Sequence, residues 1–295
     1  MKITVITPFY EGEKYMDGYV DCILANYRAL EKVGHELEVI LVNDSPWVKL
    51  EAPATSEGQI IKVITNDENM GIHASRVAGL AQATGDYVMF LDQDDVLIED
   101  ALVQMLRAGV KAPNQVVVAN ALLEQADGSK LLWYRTDYHK SKVGDLDTYL
   151  QVGIQIVSPG QCIIPRALIP EFWTTHLVTV NGADDYYLWI LMLAAGVKFT
   201  VLDEACYIHK YTAQNISADT TATDASVYDF INLLPDYESI TQTQIETLLQ
   251  MISYKADFRS SGIIGKAAST LANFNLFLIN YKYKKNTKTP LGFNR

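Results

Sequence analysis

Short apolar runs alternate with helical spacing through the first third of this chain. Ile3-Thr4-Val5-Ile6-Thr7 is rich in β-branched residues and closed by Pro8, which predicts a strand. Between Met16 and Val33 apolar residues recur at helical spacing, and Gly34 supplies the stop. Glu38 to Val42 reads as a second strand ending in the turn Asn43-Asp44-Ser45-Pro46, and Ile60 to Thr65 as a third. Gly71 to Ala83 is helical with Gly85 as its stop, Tyr87 to Leu91 is a fourth strand, and Ile98 to Ala108 is a further helix. Strands joined by helices pair in parallel through right-handed crossovers. Most of these strands are continuously apolar, as strands covered by helices on both faces are. The expected fold class is α/β, with a mostly parallel central sheet flanked by helices.

The pattern loosens further along. Gln115 to Leu123 and Phe199 to Leu202 read as strands, Asp145 to Gly153 and Asp184 to Ala195 as helices, and Ser158 to Ile164 as a turn followed by a strand. Beyond about Ser226 the spacing stays helical to the end, and the Thr/Ala/Asp-rich stretch Ala218 to Asp224 marks a boundary near residue 225.

Chemistry collects where the strands end. Thr7-Pro8-Phe9-Tyr10-Glu11 follows the first strand and Asp44 the second. Asn69-Met70-Gly71 follows the third and opens a helix carrying Arg76, and Asp92-Gln93-Asp94-Asp95 follows the fourth. In a parallel sheet these ends share the edge at which α/β proteins bind ligands. The acid cluster has two readings: a polar turn that caps the next helix, or a site for a hard divalent cation bridging to a diphosphate. Asp44 can accept from a base N–H, Arg76 can pair with phosphate, and Gly71 allows close backbone approach at a helix N-terminus. Taken singly, Asp44 reads as a turn cap and Arg76 as a surface helix residue; four such groups at one edge point to a nucleotide diphosphate.

The net charge of −11 argues against a general nucleic-acid binder, which is usually basic. That charge is unevenly placed: Arg259 to Arg295 holds seven Lys/Arg and no Asp/Glu, which leaves the preceding residues near −18. Cys22, Cys162 and Cys206 fit no metal or redox spacing and read as buried, reduced thiols. The N-terminus reads as a first strand rather than a secretory signal. The longest apolar stretch, Leu188 to Val197, is about half of a membrane span. A cytoplasmic protein is expected.

The ordered set of motifs resembles an inverting family 2 glycosyltransferase of the GT-A fold. The matching residues are Val5-Ile6-Thr7-Pro8-Phe9-Tyr10 and Val42-Asn43-Asp44-Ser45. Asn69-Met70-Gly71 with Ala74-Ser75-Arg76 is similar to that family's Asn-x-Gly-x-x-x-Ala-Arg segment, and Phe90 to Asp95 to its Asp-x-Asp motif. Ala183-Asp184-Asp185-Tyr186-Tyr187-Leu188-Trp189 is similar to its Glu-Asp motif. The resemblance runs from about residue 1 to 217. It implies that Thr7, Pro8 and Glu11 line a nucleobase pocket and that Asp44 bonds the base, most often uracil. Asn69, Gly71 and Arg76 would lie at the nucleotide, and Asp92 at the ribose or sugar. Asp94 would hold Mn²⁺ or Mg²⁺, and Asp185 would be the catalytic base. His209, followed by Asn215-Ile216-Ser217, matches a late His that approaches the metal or diphosphate. Residues 1–225 would form the catalytic domain, with 1–110 binding nucleotide and 111–225 binding acceptor. Residues 226–295 would form a helical region with a basic tail.

Two positions depart from the family pattern. Glu11 stands where Asn is usual, and Asp184 where Glu precedes the catalytic Asp. Capping of the helix is the plainer role for Asp184 and Asp185, and Trp189 either stacks on an acceptor sugar or packs in the core. His35, His73, His139 and His176 are scattered, and only His73 lies near the expected site. In the tail, Ile264, Ala267, Ala268, Leu271, Phe274, Leu278 and Tyr281 fall at helical spacing ahead of Lys282, Lys284, Lys285 and Lys288. This segment either lies on an anionic inner leaflet, near a lipid-linked acceptor, or packs on the catalytic domain or in a homodimer. The activity expected is transfer of a sugar from a nucleotide-sugar donor, UDP-linked, to a glycan, lipid-linked or protein-linked acceptor. A sugar nucleotidylyltransferase would need a Gly-rich basic loop after the first strand, which is absent. The intact Asp94 and Asp185 argue against a degenerate binding or scaffold protein.

Overall fold

The computed structural model describes residues 1–52, 60–125, 127–210 and 220–288. In chain order the strands and α-helices begin with β1 (Lys2–Phe9), α1 (Met16–Glu31), β2 (Glu36–Asn43), β3 (Ile61–Thr65), α2 (Ile72–Gln82) and β4 (Tyr87–Phe90). Then come β5 (Val96–Leu97), α3 (Ala101–Lys111), β6 (Gln115–Glu124), β7 (Lys130–Leu132), α4 (Asp137–Ser141) and α5 (Leu146–Gln151). They are followed by β8 (Cys162–Pro165), α6 (Glu171–Thr175), α7 (Asp184–Ala194) and β9 (Lys198–Lys210). The rest is helical: α8 (Thr220–Leu233), α9 (Gln242–Ser260), α10 (Ile263–Ala272) and α11 (Phe274–Thr287). These elements fall into two compact units. The first comprises Met1–Leu132, Ile156–Leu177 and Val197–Thr212, and the second Trp133–Gln155, Val178–Gly196 and Ala213–Arg295.

The first unit holds a nine-stranded sheet in the order β3-β2-β1-β4-β8-β6-β9-β5, with β7 paired to β6. Strands β1 to β4 are parallel where they pair, as the strand–helix alternation predicts. Their Val, Ile, Leu, Met and Phe residues are buried in β1, β2 and β4, where helices cover them, while Val63 and Ile64 of β3 are half-buried: α2 packs on β1 and β2, and α1 on β2. Gly79 of α2 lies so close to β1 that a Cβ there would sit 2.3 Å from Ile6 Cγ2, which sets the helix-to-sheet distance. Each Val, Ile or Leu taken out of water here contributes roughly 1.5–3 kcal/mol. Beyond β4 the sheet turns mixed, since β8 runs antiparallel to both β4 and β6.

Strand β9 is longer than its apolar pattern predicts. Phe199 to Leu202 carries the readable signal, yet the strand continues to Lys210 through the polar Asp203 and Glu204. It pairs in parallel with β6, with register shifts around Asn120, and antiparallel with β5. Such shifts bend a strand and re-aim its side chains. The extension brings His209 alongside the turn that precedes β5, a placement the apolar pattern of the strand does not announce. The three cysteines are free and buried; the thiol of Cys22 accepts from Leu97 N at 3.2 Å.

The second unit is helical among its described residues. Helix α9 starts with a reciprocal capping box between Thr241 and Gln244, which satisfies two otherwise orphaned backbone groups. Phe230 of α8 stacks on Tyr187 with ring centroids 5.3 Å apart and meets Tyr186 edge-on at 5.6 Å. Lys255 of α9 reaches the carbonyl of Val152, just past the end of α5, at 2.7 Å. Helix α8 runs unbroken across residue 225, where the composition shifts. Among the described residues no helix is long and apolar enough to cross a membrane.

Candidate functional site

The parallel register of the first unit aligns the ends of β1, β2 and β3: Phe9 pairs with Asn43, and Asn43 with Thr65. Strand β4 pairs beside them, with Phe90 opposite Ile6. The turns after these strands therefore leave one edge of the sheet. Asp44 N donates to Phe9 O at 2.8 Å, so the first two turns are tied at the backbone.

Asp44 is buried, and its carboxylate holds the third turn. Oδ1 accepts from Asn66 Nδ2 at 2.7 Å and from Met70 N at 2.8 Å, while Oδ2 accepts from Gly71 N at 2.9 Å. A buried carboxylate is tolerated when charge-assisted N–H bonds replace its water. Asn69 supports the same turn by accepting from Gly71 N at 3.1 Å. Gly71 has φ +85, a conformation side chains resist, and it caps α2. Asp44 thus shapes the Asn69–Gly71 turn, and a base N–H would have to use its remaining lone pairs.

The acid cluster is divided by its partners. Arg76 is buried in α2, and its Nη2 lies 2.6 Å from Asp92 Oδ1, with the guanidinium 6.0 Å from the Phe90 ring centre. Ser158 Oγ donates to Asp92 Oδ2 at 3.3 Å. Asp95 turns inward: Tyr207 OH donates to it, His209 Nδ1 lies 3.2 Å from its Oδ1, and Lys210 N donates at 3.3 Å. Burial opposes protonation of His209, but the Asp95 hydrogen bond and the charges of Asp95, Asp92 and Asp94 outweigh it and raise its pKa. Asp94 sits between these pairs. Burial first, then the charges of Asp95 and Asp92, push its carboxyl up to about 6.

The first loop is pinned to this cluster. Gln93 Oε1 accepts from Tyr10 N at 3.0 Å, and Gln93 Nε2 donates to Tyr10 O at 3.2 Å. Gly12 lies against the same amide; a Cβ there would meet Gln93 Oε1 at 2.1 Å. Glu11 adopts φ 44, its N donates to Ser45 Oγ at 2.9 Å, and its Oε1 accepts from Trp47 Nε1 at 3.2 Å. Tyr10 and the exposed Trp47 meet edge-on at 6.0 Å. Pro8 is half-buried, whereas Thr7 is fully buried with its hydroxyl 2.8 Å from Tyr19 OH. The Thr7 side chain therefore serves the core.

The remaining candidates lie in the second unit. Asp184 and Asp185 form the first turn of α7, where the helix dipole favours a carboxylate. Asp184 is buried, and Asp185 Oδ1 accepts from Tyr186 N at 2.7 Å. Trp189 is fully buried, so of its two sequence readings the structure has core packing rather than a face for stacking. In the first unit, His73 of α2 is also a core residue, with Nε2 3.0 Å from Trp173 O. Asn215-Ile216-Ser217 lies outside the described residues.

Among the described residues no group of three or more His, Cys, Asp or Glu is arranged to hold a metal ion by itself. A divalent ion would have to draw on fewer protein ligands and complete its shell with diphosphate oxygens and water, as Mg²⁺ sites usually do. The raised pKa of Asp94 marks where positive charge is short. Sequence patterns did not single out Asn66, Gln93, Ser158 or Tyr207, because each is an ordinary polar residue until the fold brings it to a carboxylate. Asp95 is legible in the sequence as one of the three acids after β4, without a role of its own.

Residues 4–173, more than half of the chain, match the family model described as Glycosyl transferase family 2. An undecaprenyl-phosphate 4-deoxy-4-formamido-L-arabinose transferase of Pectobacterium atrosepticum is 36% identical over 97 residues, covering 31% of this chain and 28% of that protein. A cholesterol galactosyltransferase of Borreliella burgdorferi is 27% identical over 122 residues, covering 40% of this chain and 32% of that protein. The first relatives are matched over only 16% to 40% of their own length. Among solved structures, TarS 1-349 of S. aureus in complex with UDP-GlcNAc aligns with TM-score 0.58 at 18% identity, over 88% of this chain and 74% of that chain. The likeness shows the GT-A fold, in keeping with the sheet and its helical C-terminal region. With its strand-end turns held in that frame, the chain belongs to glycosyl transferase family 2.

Proposed function

We propose that the chain transfers a sugar from a UDP-sugar to a hydroxyl of a glycan, lipid-linked or protein-linked acceptor, with inversion. The observation that carries this reading is Asp94. It is a half-buried carboxyl raised to about 6 by burial and two flanking acids, on the ligand-binding edge of a family 2 chain. A site short of positive charge suits a cation-bound diphosphate. The UDP-GlcNAc complex of TarS supports a UDP-linked donor. Two relatives named for undecaprenyl phosphate and cholesterol support a lipid-linked acceptor.

In this reading residues 1–110 bind the nucleotide and residues 111–225 the acceptor. Glu11, Asp44, Asn69 and Gly71 frame the base and its ribose, with Pro8 beside them, and Arg76 holds Asp92 in place. Asp94 and His209 would hold Mn²⁺ or Mg²⁺, and Asp95, at the imidazole Nδ1, would leave Nε2 for the ion. When bound, the ion supplies charge neutralisation for the departing diphosphate. Asp185 takes the proton from the acceptor hydroxyl as its oxygen bonds to the anomeric carbon; the bond from that carbon to the diphosphate breaks, and UDP leaves with the bonding pair. A placed carboxylate contributes roughly 10²–10⁴-fold to such a step.

The test is a panel of nucleotide-sugars incubated with the chain, with and without a chelator, and assayed for nucleotide release. Metal-dependent release of UDP from one UDP-sugar is expected. Failure of every donor to bind, with Mn²⁺ or Mg²⁺ present, would overturn the reading.

A further inference from the structure

Helix α10 is turned inside out relative to an ordinary surface helix. Its exposed positions are Ile263, Ile264, Ala267, Ala268, Leu271 and Ala272, one continuous stripe at helical spacing. Ile263, Ile264 and Leu271 are 89%, 87% and 75% exposed. The opposite face, which is less exposed, carries Gly265, Lys266, Ser269 and Thr270. Amphipathic helices on a protein surface direct the apolar stripe at the core.

Helix α11 extends the patch and is firmly seated. Tyr283 OH donates to Gln155 Oε1 at 2.7 Å, Asn280 Nδ2 donates to Gln151 O at 3.0 Å, and Leu276 and Thr287 are buried along the same side. Its outward residues are Phe274, Leu278 and Tyr281, followed by the exposed Lys282, Lys284, Lys285 and Lys288. From residue 259 to the end the chain has seven cations and no acid. Arg259 is engaged by Asp224, while Lys266 lies over the Phe258 ring at 5.4 Å.

We propose that α10 and the outward side of α11 dock on an anionic lipid bilayer, with Ile263, Ile264, Leu271 and Phe274 entering the acyl boundary and the lysines meeting lipid phosphates. An apolar stripe joined to a basic cluster supplies the two weak signals that stable peripheral attachment needs. Charge complementarity selects this occupant over a second copy of the chain. A two-fold symmetric contact through α10 would bring two all-cationic segments together, whereas an anionic leaflet neutralises them. The surface lies wholly within the second unit and stands independently of the transferase reading.

The test is flotation of the whole chain with vesicles of phosphatidylglycerol and phosphatidylcholine, against phosphatidylcholine alone, without nucleotide. The chain is expected to float with the anionic vesicles, to float far less with neutral ones, and to be released by salt. Ile263→Ser, Ile264→Ser and Leu271→Ser combined should lower binding tenfold or more. Lys282→Gln and Lys285→Gln should each lower it about fivefold. All five positions are exposed, and circular dichroism checks that each variant is folded. Absence of wild-type binding to anionic vesicles overturns the proposal, as does full binding by the triple serine variant. A wild-type dimer in sedimentation that the serine variant dissolves, without vesicle binding, would assign the face to a second copy. Because no donor is present, failure here leaves the transferase reading untouched.

Discussion

Arg76 Nη2 and Asp92 Oδ1 lie 2.6 Å apart, with the guanidinium buried and the carboxylate partly open to solvent. One acid of the cluster is thereby neutralised from within the fold. Removing the guanidinium leaves the cluster more repulsive and a cavity behind. Arg76→Met is expected to destabilise the chain by about 2 kcal/mol in urea denaturation, less than a fully buried pair would lose because Asp92 is partly hydrated. A double-mutant cycle with Asp92→Asn should show coupling of about 1 kcal/mol. Strict additivity would mean that the two groups are neighbours without being partners.

Asp94 gives a pH signature whose sign is fixed by its raised pKa. Its carboxyl titrates near 3.8 when unfolded and at about 6 in the fold, so the native state holds the proton more tightly. Its contribution is fully present below about pH 4 and is lost as pH rises through about 6. Asp94→Asn mimics the protonated form. In chelator it should match the wild type at about pH 4 and exceed it by about 1–2 kcal/mol above pH 7, after allowance for solvent screening. Thermal denaturation across that range checks this. Asp94→Ala should also abolish metal-dependent donor binding, read by calorimetry with UDP and Mn²⁺.

Asp185 stands apart from the donor contacts in the proposed chemistry. Asp185→Asn keeps the size of the side chain and removes its basicity. Transfer should fall roughly 10²–10⁴-fold while donor affinity is unchanged. Transfer at the unmodified rate would show that another group takes the proton.

Glu11 has φ 44, in the left-handed region where Asn is several-fold enriched. The family pattern has Asn at this position. Glu11→Asn should raise stability by about 0.5–1 kcal/mol, the part of the left-handed penalty that Asn avoids. A loss of stability in thermal denaturation would mean that the Trp47 bond to Glu11 outweighs the backbone strain.

The sequence by itself determined the α/β character, the parallel first four strands and the turns that carry Asp44, Asn69, Gly71 and the acid cluster. Those features are local: apolar runs, helical spacing and turn residues act within a few positions of themselves. The tertiary structure decided what each side chain meets. Arg76 goes to Asp92, Asp44 spends three contacts on the turn it faces, and Asp95 joins Tyr207 and His209 because β9 extends beyond its apolar stretch to pair with β5. It also decided which way the stripe in α10 points. Helical spacing reports that one side of a helix is apolar, and only the packing of α10 and α11 in the second unit shows that this side faces water.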